Sequence, residues 1–156
     1  MSLNGPTEKI SFTLDGQEAT AAPGESIWQV ARRCGTDIPH LCYSPEPGYR
    51  ADGNCRACMV EIEGERVLAA SCIREPLEGM VVNTATDRAV SARNIVFELL
   101  VADQPPHENA HDGGSKFWHW AETLGVRSSR FPAKHSPEPD LSHPAMAVNL
   151  DACINC

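Results

Sequence analysis

The fold is read most directly from DGNCRAC, residues 52–58, which places two cysteines three positions apart on one short loop. Cys42 precedes this pair and Cys72 follows it, so the four cysteines have the spacing C-x12-C-x2-C-x13-C. Small residues around the pair, among them Gly53 and Ala57, let backbone N–H groups approach the sulfurs. The spacing predicts a site in which one loop and two neighbouring strand ends supply four thiolates.

A [2Fe–2S] cluster needs four thiolates, two for each iron, and this pattern suits it. We therefore predict that Cys42, Cys55, Cys58 and Cys72 are its ligands. Structural zinc sites typically draw their cysteines from two close pairs, whereas here there is one such pair. A structural zinc site, or a redox-sensing dithiol of Cys55 and Cys58, is kept as the second hypothesis.

The remaining candidates near this pattern are interpreted as structural. Ligation by two histidines in place of two cysteines is not favoured, because only His40 lies near one of the four cysteines. We interpret His40 as a loop residue. Cys34 falls on the apolar face of a predicted helix, and we expect it to be a small buried hydrophobic residue rather than a ligand.

The local patterns predict an α+β fold of the β-grasp type for residues 9–86. Alternating apolar residues from Ile10 to Leu14 and a turn at Asp15-Gly16 predict a hairpin. Ser26 and Gln29 form a capping box for the first helix. The further predicted elements are a return strand at 17–22, strands at 58–63, 67–72 and 80–84, and a helix at 88–101.

The C-terminal part of the chain has a different composition. We expect the helical segment 87–103 to pack on the β-grasp domain or to lead away from it. Half of the twelve prolines lie beyond it, so residues 104–152 are predicted to form a loop-rich extension. Within this extension we predict a short helix at 116–124, with Phe117, Trp120, Ala121 and Leu124 on its apolar face.

Composition excludes several classes of function. The 156 residues carry 13 basic and 21 acidic side chains, and the net charge of −8 argues against a nucleic-acid partner. No apolar run is long enough for a membrane span, and the N-terminal residues are not typical of a secretory signal. Seven cysteines in such a chain are expected to remain reduced, so we predict a cytoplasmic protein.

The sequence resembles the N-terminal [2Fe–2S] domain shared by three groups of proteins. They are the alpha subunit of soluble NAD-dependent molybdenum formate dehydrogenases, the large iron–sulfur subunit of respiratory complex I, and the iron-only hydrogenases. The resemblance covers about residues 9–103 and is carried by IPHLC (38–42), DGNCRACMVE (52–61) and AASC (69–72). Similarity to the formate dehydrogenase subunit is greatest in VADQP (101–105), AHD (110–112) and AVNLDACI (147–154).

This resemblance implies a ferredoxin-like [2Fe–2S] β-grasp fold with the same four cysteine ligands and a role as a one-electron relay. It implies a flavin- and NAD-binding partner subunit and, in the parent enzyme, further [4Fe–4S] clusters and a molybdopterin cofactor that this chain does not bind. The alternative parents are an NADH dehydrogenase or a hydrogenase. We expect the chain alone to be non-catalytic, since it shows no catalytic triad, phosphate loop or nucleotide-binding fingerprint.

Two features depart from the resemblance. Complex I subunits and many hydrogenases have a His and three Cys that bind a [4Fe–4S] cluster, but no cysteine lies between Cys72 and Cys153. His107 and His111 are interpreted as solvated side chains. Residues 153–156 read CINC, the start of a ferredoxin-type [4Fe–4S] motif, so Cys153 and Cys156 could be ligands only in a longer chain. We interpret the sequence as part of a larger subunit.

Overall fold

Alternating apolar residues build the hairpin that opens the fold of this computed structural model, which describes residues 9–133 and 138–154. Strands β1 (Ile10–Leu14) and β2 (Gln17–Ala21) pair antiparallel, and the inward residues of β1 are almost completely buried. Asp15 and Gly16 both have positive φ, 49° and 78°, which matches the right-handed twist of the strands they connect. The sequence-based prediction of this hairpin is therefore confirmed.

Helix α1 (Ile27–Arg33) begins with the predicted capping box, in which Ser26 and Gln29 satisfy each other's backbone N–H groups. Its buried face contacts the sheet core. The N–H groups of the first helical residues donate to other parts of the chain: Ile27 to the carbonyl of Arg74, and Trp28 to that of Ser71. The N-terminus of α1 is thereby fixed to the segment that follows the fourth strand.

Three further strands complete a five-stranded mixed sheet: β3 (Met59–Ile62), β4 (Ala69–Ala70) and β5 (Val81–Asn83). The strand order is β2-β1-β5-β3-β4. Strand β5 runs parallel to β1 and antiparallel to β3, while β4 pairs antiparallel with β3. A sheet of this order with α1 beside it confirms the α+β fold of the β-grasp type. These three strands are each shorter than the sequence pattern predicts.

Helix α2 (Asp87–Ala102) differs from expectation in the face that it buries. The apolar pattern favours a face that includes Ile95 and Leu99, but both are exposed. The buried positions are instead Ala89, Arg93 and Phe97, which lie four residues apart on one side of the helix. Because the charged residue Arg93 lies in the middle of this buried face, a search for regularly spaced apolar residues does not identify the face.

The described residues form two compact units, divided within α2 between Arg93 and Asn94. In the second unit, α3 (Lys116–Thr123) buries Phe117, Trp118 and Ala121. The expectation that Trp120 belongs to this face is corrected, since Trp118 is the buried tryptophan and stacks on the ring of His107 at 4.5 Å.

The extension also contains strands that the sequence pattern does not predict. Strands β6 (Asp140–His143) and β7 (Met146–Val148) pair antiparallel, and all their residues are exposed. The two strands have four and three residues, which is too short for a clear period-two pattern. None of the helices in the described part of the chain has the length and hydropathy needed to cross a bilayer.

Candidate metal centre

The four cysteines of the spacing pattern lie at one end of the sheet. Cys42 and Cys55 belong to residues 36–58, a long segment without helix or strand, and Cys58 directly precedes β3. Cys72 lies in the turn that follows β4. The pairing of Met59 with Ala70 places Cys58 opposite Ser71, whose N–H donates to the carbonyl of Cys58 at 3.1 Å. Strand pairing therefore brings Cys58 and Cys72 together.

Cys42 and Cys55 form the first of two contacting pairs. The backbone N–H of Cys42 points at the sulfur of Cys55, with an N to Sγ distance of 3.5 Å. The N–H of Ala57 also hydrogen-bonds this sulfur. Burial raises the pKa of the Cys55 thiol, while these two N–H groups act in the opposite direction by favouring the thiolate. The expected approach of backbone donors to a cysteine sulfur is thus present.

Cys58 and Cys72 form the second pair, and both are almost fully buried, with 1% and 4% of their surfaces exposed. Their side chains are hydrogen-bonded to each other. This bond lowers the pKa of Cys58 and, together with burial, raises the pKa of Cys72. The two sulfurs therefore contact each other where solvent scarcely reaches.

Backbone conformations in the long loop explain why small residues are needed there. Gly53 has φ of +66°, and a Cβ at this position would lie 2.8 Å from Cδ1 of Ile73. Ala57 is fully buried, and Arg56 between the two close cysteines has a left-handed φ of 57°. This sharp turn directs successive N–H groups toward the sulfurs, as in the anion-binding concavities formed by other turns.

The two pairs are neighbours, since the thiol of Cys72 interacts electrostatically with both Cys42 and Cys55. Within residues 9–133 and 138–154, however, no three metal-binding side chains converge as they would around a single ion. His40 hydrogen-bonds the carbonyl of Ile38 and packs its ring against Trp28 at 4.5 Å. The donor set is thus two pairs of thiols, with His40 engaged elsewhere.

Cys34 is not the buried residue that the helical pattern predicts. Helix α1 ends at Arg33, and Cys34 is its C-cap, followed by Gly35 with φ of 84°. Because the chain leaves the helix at this point, the side chain of Cys34 is exposed. It also lies outside the two contacting pairs.

The histidines and cysteines of the second unit have other partners. His107 and His111 are both exposed, as the sequence interpretation expects, but each also contacts the protein. His107 hydrogen-bonds the carbonyl of Gly113, and His111 contacts the carboxylate of Asp151 at 3.0 Å, which lowers the pKa of Asp151. Cys153 is half-buried in a turn, and Cys156 lies outside the described residues.

Sequence reasoning overlooked two buried polar residues that interact with Cys58. The Ser71 hydroxyl donates to the carbonyl of Cys58 at 2.8 Å, and Ser71 is fully buried. Arg93, 6% exposed, interacts electrostatically with Cys58. Ser71 could have been found from its place next to a predicted ligand. No pattern in the sequence distinguishes Arg93 from the surface arginines.

Comparison with known proteins places the chain in a family. Residues 7–87 match the model of the family described as 2Fe-2S iron-sulfur cluster binding domain, and this range includes all four cysteines.

Proteins similar to most of the chain are subunits of larger oxidoreductases. The NADP-reducing hydrogenase subunit HndD of Solidesulfovibrio fructosivorans is 32% identical over 154 residues, covering 94% of this chain and 26% of that protein. The mitochondrial NADH-ubiquinone oxidoreductase 78 kDa subunit of Candida albicans is 31% identical over 153 residues, covering 95% and 21% respectively. The chain thus spans about a quarter of the length of these curated relatives.

A solved structure is similar over the same range. It is the crystal structure of an NAD+-reducing [NiFe]-hydrogenase in the H2-reduced state, with a TM-score of 0.78 and 29% identity. The match covers 94% of this chain and 62% of that one.

Proposed function

Because the chain belongs to the family of 2Fe-2S iron-sulfur cluster binding domains, we propose that it is a one-electron relay whose cluster is held by Cys42, Cys55, Cys58 and Cys72. The observation that carries the proposal is the arrangement of these thiols as two contacting pairs at one end of the sheet. A [2Fe–2S] cluster takes two thiolates on each iron. The pair Cys42 and Cys55 would serve one iron, and Cys58 and Cys72 the other.

The geometry is better suited to two metal ions than to one. A tetrahedral zinc site requires four ligands around a single point, whereas the four cysteines contact each other as two separate pairs. A redox-sensing dithiol of Cys55 and Cys58 is also less well supported, since Cys58 hydrogen-bonds Cys72 while Cys55 is paired with Cys42. The donor set therefore fits the cluster that the family binds.

When bound, a [2Fe–2S] cluster accepts one electron and releases it again without breaking a bond in a substrate. The protein contributes hydrogen-bond donors to the sulfurs and shields part of the site from water. The N–H groups of Cys42 and Ala57 at the sulfur of Cys55 favour negative charge there. The buried residues Cys58 and Cys72 would keep water from one side of the cluster, whereas Cys42 and Cys55 on the other side are half-exposed. We infer that electrons enter or leave on the side of the half-exposed pair.

For the parent enzyme we propose the alpha subunit of an NAD-dependent formate dehydrogenase, with a flavin- and NAD-binding partner subunit and a molybdopterin cofactor bound elsewhere. The segments VADQP (101–105) and AVNLDACI (147–154) support this choice. A relay subunit of a hydrogenase or of an NADH dehydrogenase is the second candidate, favoured by the named relatives. Spectra of the intact parent enzyme with formate, H2 or NADH as reductant distinguish them.

The ligand assignment is tested by serine variants of the four cysteines, with Cys34→Ser as the matched control. We expect each of the four variants to lose iron and sulfide after anaerobic purification, or to hold a cluster of altered absorption. The control should keep the wild-type content, since Cys34 is exposed and outside both pairs. An unchanged cluster in any of the four, or a lost cluster in the control, would overturn the assignment.

A further inference from the structure

Arg93 is a buried cation whose charge is only partly compensated. It lies at the centre of the buried stripe of α2 and is 6% exposed, whereas the side chain of Arg88 on the same helix is 47% exposed. Burying a charge costs several kcal/mol unless partners compensate for it. A charge retained at such a position therefore requires a partner.

The neighbours of Arg93 do not supply a full counter-charge. One guanidinium nitrogen donates to the carbonyl of Thr84 at 2.6 Å, and Nε has no hydrogen-bond partner among the described residues. Asp15 interacts with Arg93 electrostatically, but its two carboxylate oxygens accept bonds from the N–H and hydroxyl of Thr84. No carboxylate in the described residues lies within ion-pair distance of Arg93.

Strand register places the carbonyl of Thr84, to which Arg93 donates, at the same end of the sheet as Cys58. Thr84 directly follows β5, and the pairing of Glu61 with Asn83 sets Thr84 level with Val60. Cys58 is only two residues before Val60, at the same end of the sheet. Arg93 also interacts with the thiolate of Cys58. The partly compensated positive charge of Arg93 thus lies at the end of the sheet that carries Cys58 and acts on that cysteine electrostatically.

We propose that Arg93 is the buried counter-charge of the iron–sulfur centre and sets its reduction potential. The inference rests on the proposed function. Reduction adds one electron and no proton, so the negative charge held among the four thiolates increases by one. A fixed positive charge in a low-dielectric environment stabilises that state more than the oxidised one. Removing the charge should therefore lower the potential.

The test is a redox titration of anaerobically purified protein with dithionite as the electron donor and dye mediators, followed by electron paramagnetic resonance. Arg93→Gln removes the buried charge, and Arg88→Gln removes an equal charge from an exposed position of the same helix. We expect Arg93→Gln to reduce the equilibrium constant for one-electron reduction about tenfold, or about 59 mV. Arg88→Gln and the charge-conserving Arg93→Lys should change it less than about threefold.

Equal shifts in Arg93→Gln and Arg88→Gln, or no shift in a folded Arg93→Gln protein with a full cluster, would overturn the inference. Should Arg93→Gln hold no cluster, Arg93→Met decides, because it removes the same charge and keeps an unbranched side chain that tolerates burial. An unchanged or raised potential in Arg93→Met then contradicts the role of Arg93. Absence of an iron–sulfur signal in the wild type would instead refute the proposed function.

Discussion

The hydroxyl of Ser71 donates to the carbonyl oxygen of Cys58 at 2.8 Å, and the backbone N–H of Ser71 donates to the same oxygen at 3.1 Å. Since Cys72 is the next residue, these two bonds fix the relative position of the buried cysteine pair. The carbonyl of Ser71 in turn accepts from the N–H of Trp28 in α1. One serine thus connects a strand, a helix and two proposed ligands.

Replacing Ser71 with Ala should loosen this connection without unfolding the domain. The carbonyl of Cys58 keeps its backbone donor, so the loss is one buried hydrogen bond, worth about 1 kcal/mol. We expect the visible absorption of the cluster to decay about fivefold faster on mild heating. Ser91→Ala, an exposed position on α2, is the control and should decay at the wild-type rate. Equal decay of both variants and the wild type would contradict the role of Ser71.

A side chain at Gly53 should disturb the loop more than one at Gly48. Both glycines have left-handed φ, 66° and 88°, so alanine costs about 1 to 2 kcal/mol at either position. At Gly53 the new Cβ also displaces Ile73, for about 1 kcal/mol more, whereas Gly48 has open space around it. Thermal unfolding should therefore show Gly53→Ala to be the less stable variant. A lower midpoint for Gly48→Ala would contradict the described loop conformation.

Glycine at position 56 should leave the domain stable, whereas a β-branched residue there should destabilise it. The φ of 57° at Arg56 is strained for any residue with a Cβ, by about 1 kcal/mol. Glycine relieves the strain but gains entropy in the unfolded chain, so we expect Arg56→Gly to be stabilised by about 0.5 kcal/mol and to keep its cluster. Arg56→Val should lower the unfolding midpoint. If Arg56→Val were more stable than Arg56→Gly, Arg56 would not occupy the left-handed region.

The ion pair of Glu25 and Arg33 should give the stability a pH dependence of known sign. Hydrogen bonding to Arg33 lowers the pKa of Glu25 below its ordinary value of 4.5. A carboxyl with a lowered folded-state pKa stabilises the fold above its unfolded pKa, and this contribution is lost as pH falls through the lowered value. The pair is partly exposed, so the contribution is about 0.2 to 1 kcal/mol.

Carbon-13 NMR of the glutamate carboxyls checks this directly. In Arg33→Gln the Glu25 resonance should titrate at a higher pH than in the wild type, closer to 4.5. Arg50→Gln, an exposed arginine paired with Asp52, should leave the Glu25 titration unchanged. Identical titration curves in the wild type and Arg33→Gln would show that the pair does not form in solution.

Residues governed by local chemistry were predictable from the sequence. The turn at Asp15-Gly16, the cap at Ser26 and the small residue at Gly53 each follow from rules that act within a few positions. Residues governed by long-range packing were not. Cys34 has the spacing of a buried residue, but the helix ends before it. Arg93 is buried because α2 turns it inward, although its charge is typical of a surface position.

The pairing of the cysteines also depended on structure. Spacing alone favours Cys55 with Cys58 as the natural pair, because they are close in sequence. Strand pairing instead places Cys58 with Cys72, and the long loop returns Cys42 to Cys55. Closeness in the sequence therefore does not predict which of the four cysteines contact each other.

The most direct test of the account is the spin quantitation of dithionite-reduced protein by electron paramagnetic resonance, together with iron, sulfide and zinc content. We predict a coloured protein with two irons and two sulfides per chain and one rhombic S = 1/2 spin for each pair of irons. A colourless protein that holds stoichiometric zinc and shows no such signal after reduction would contradict it.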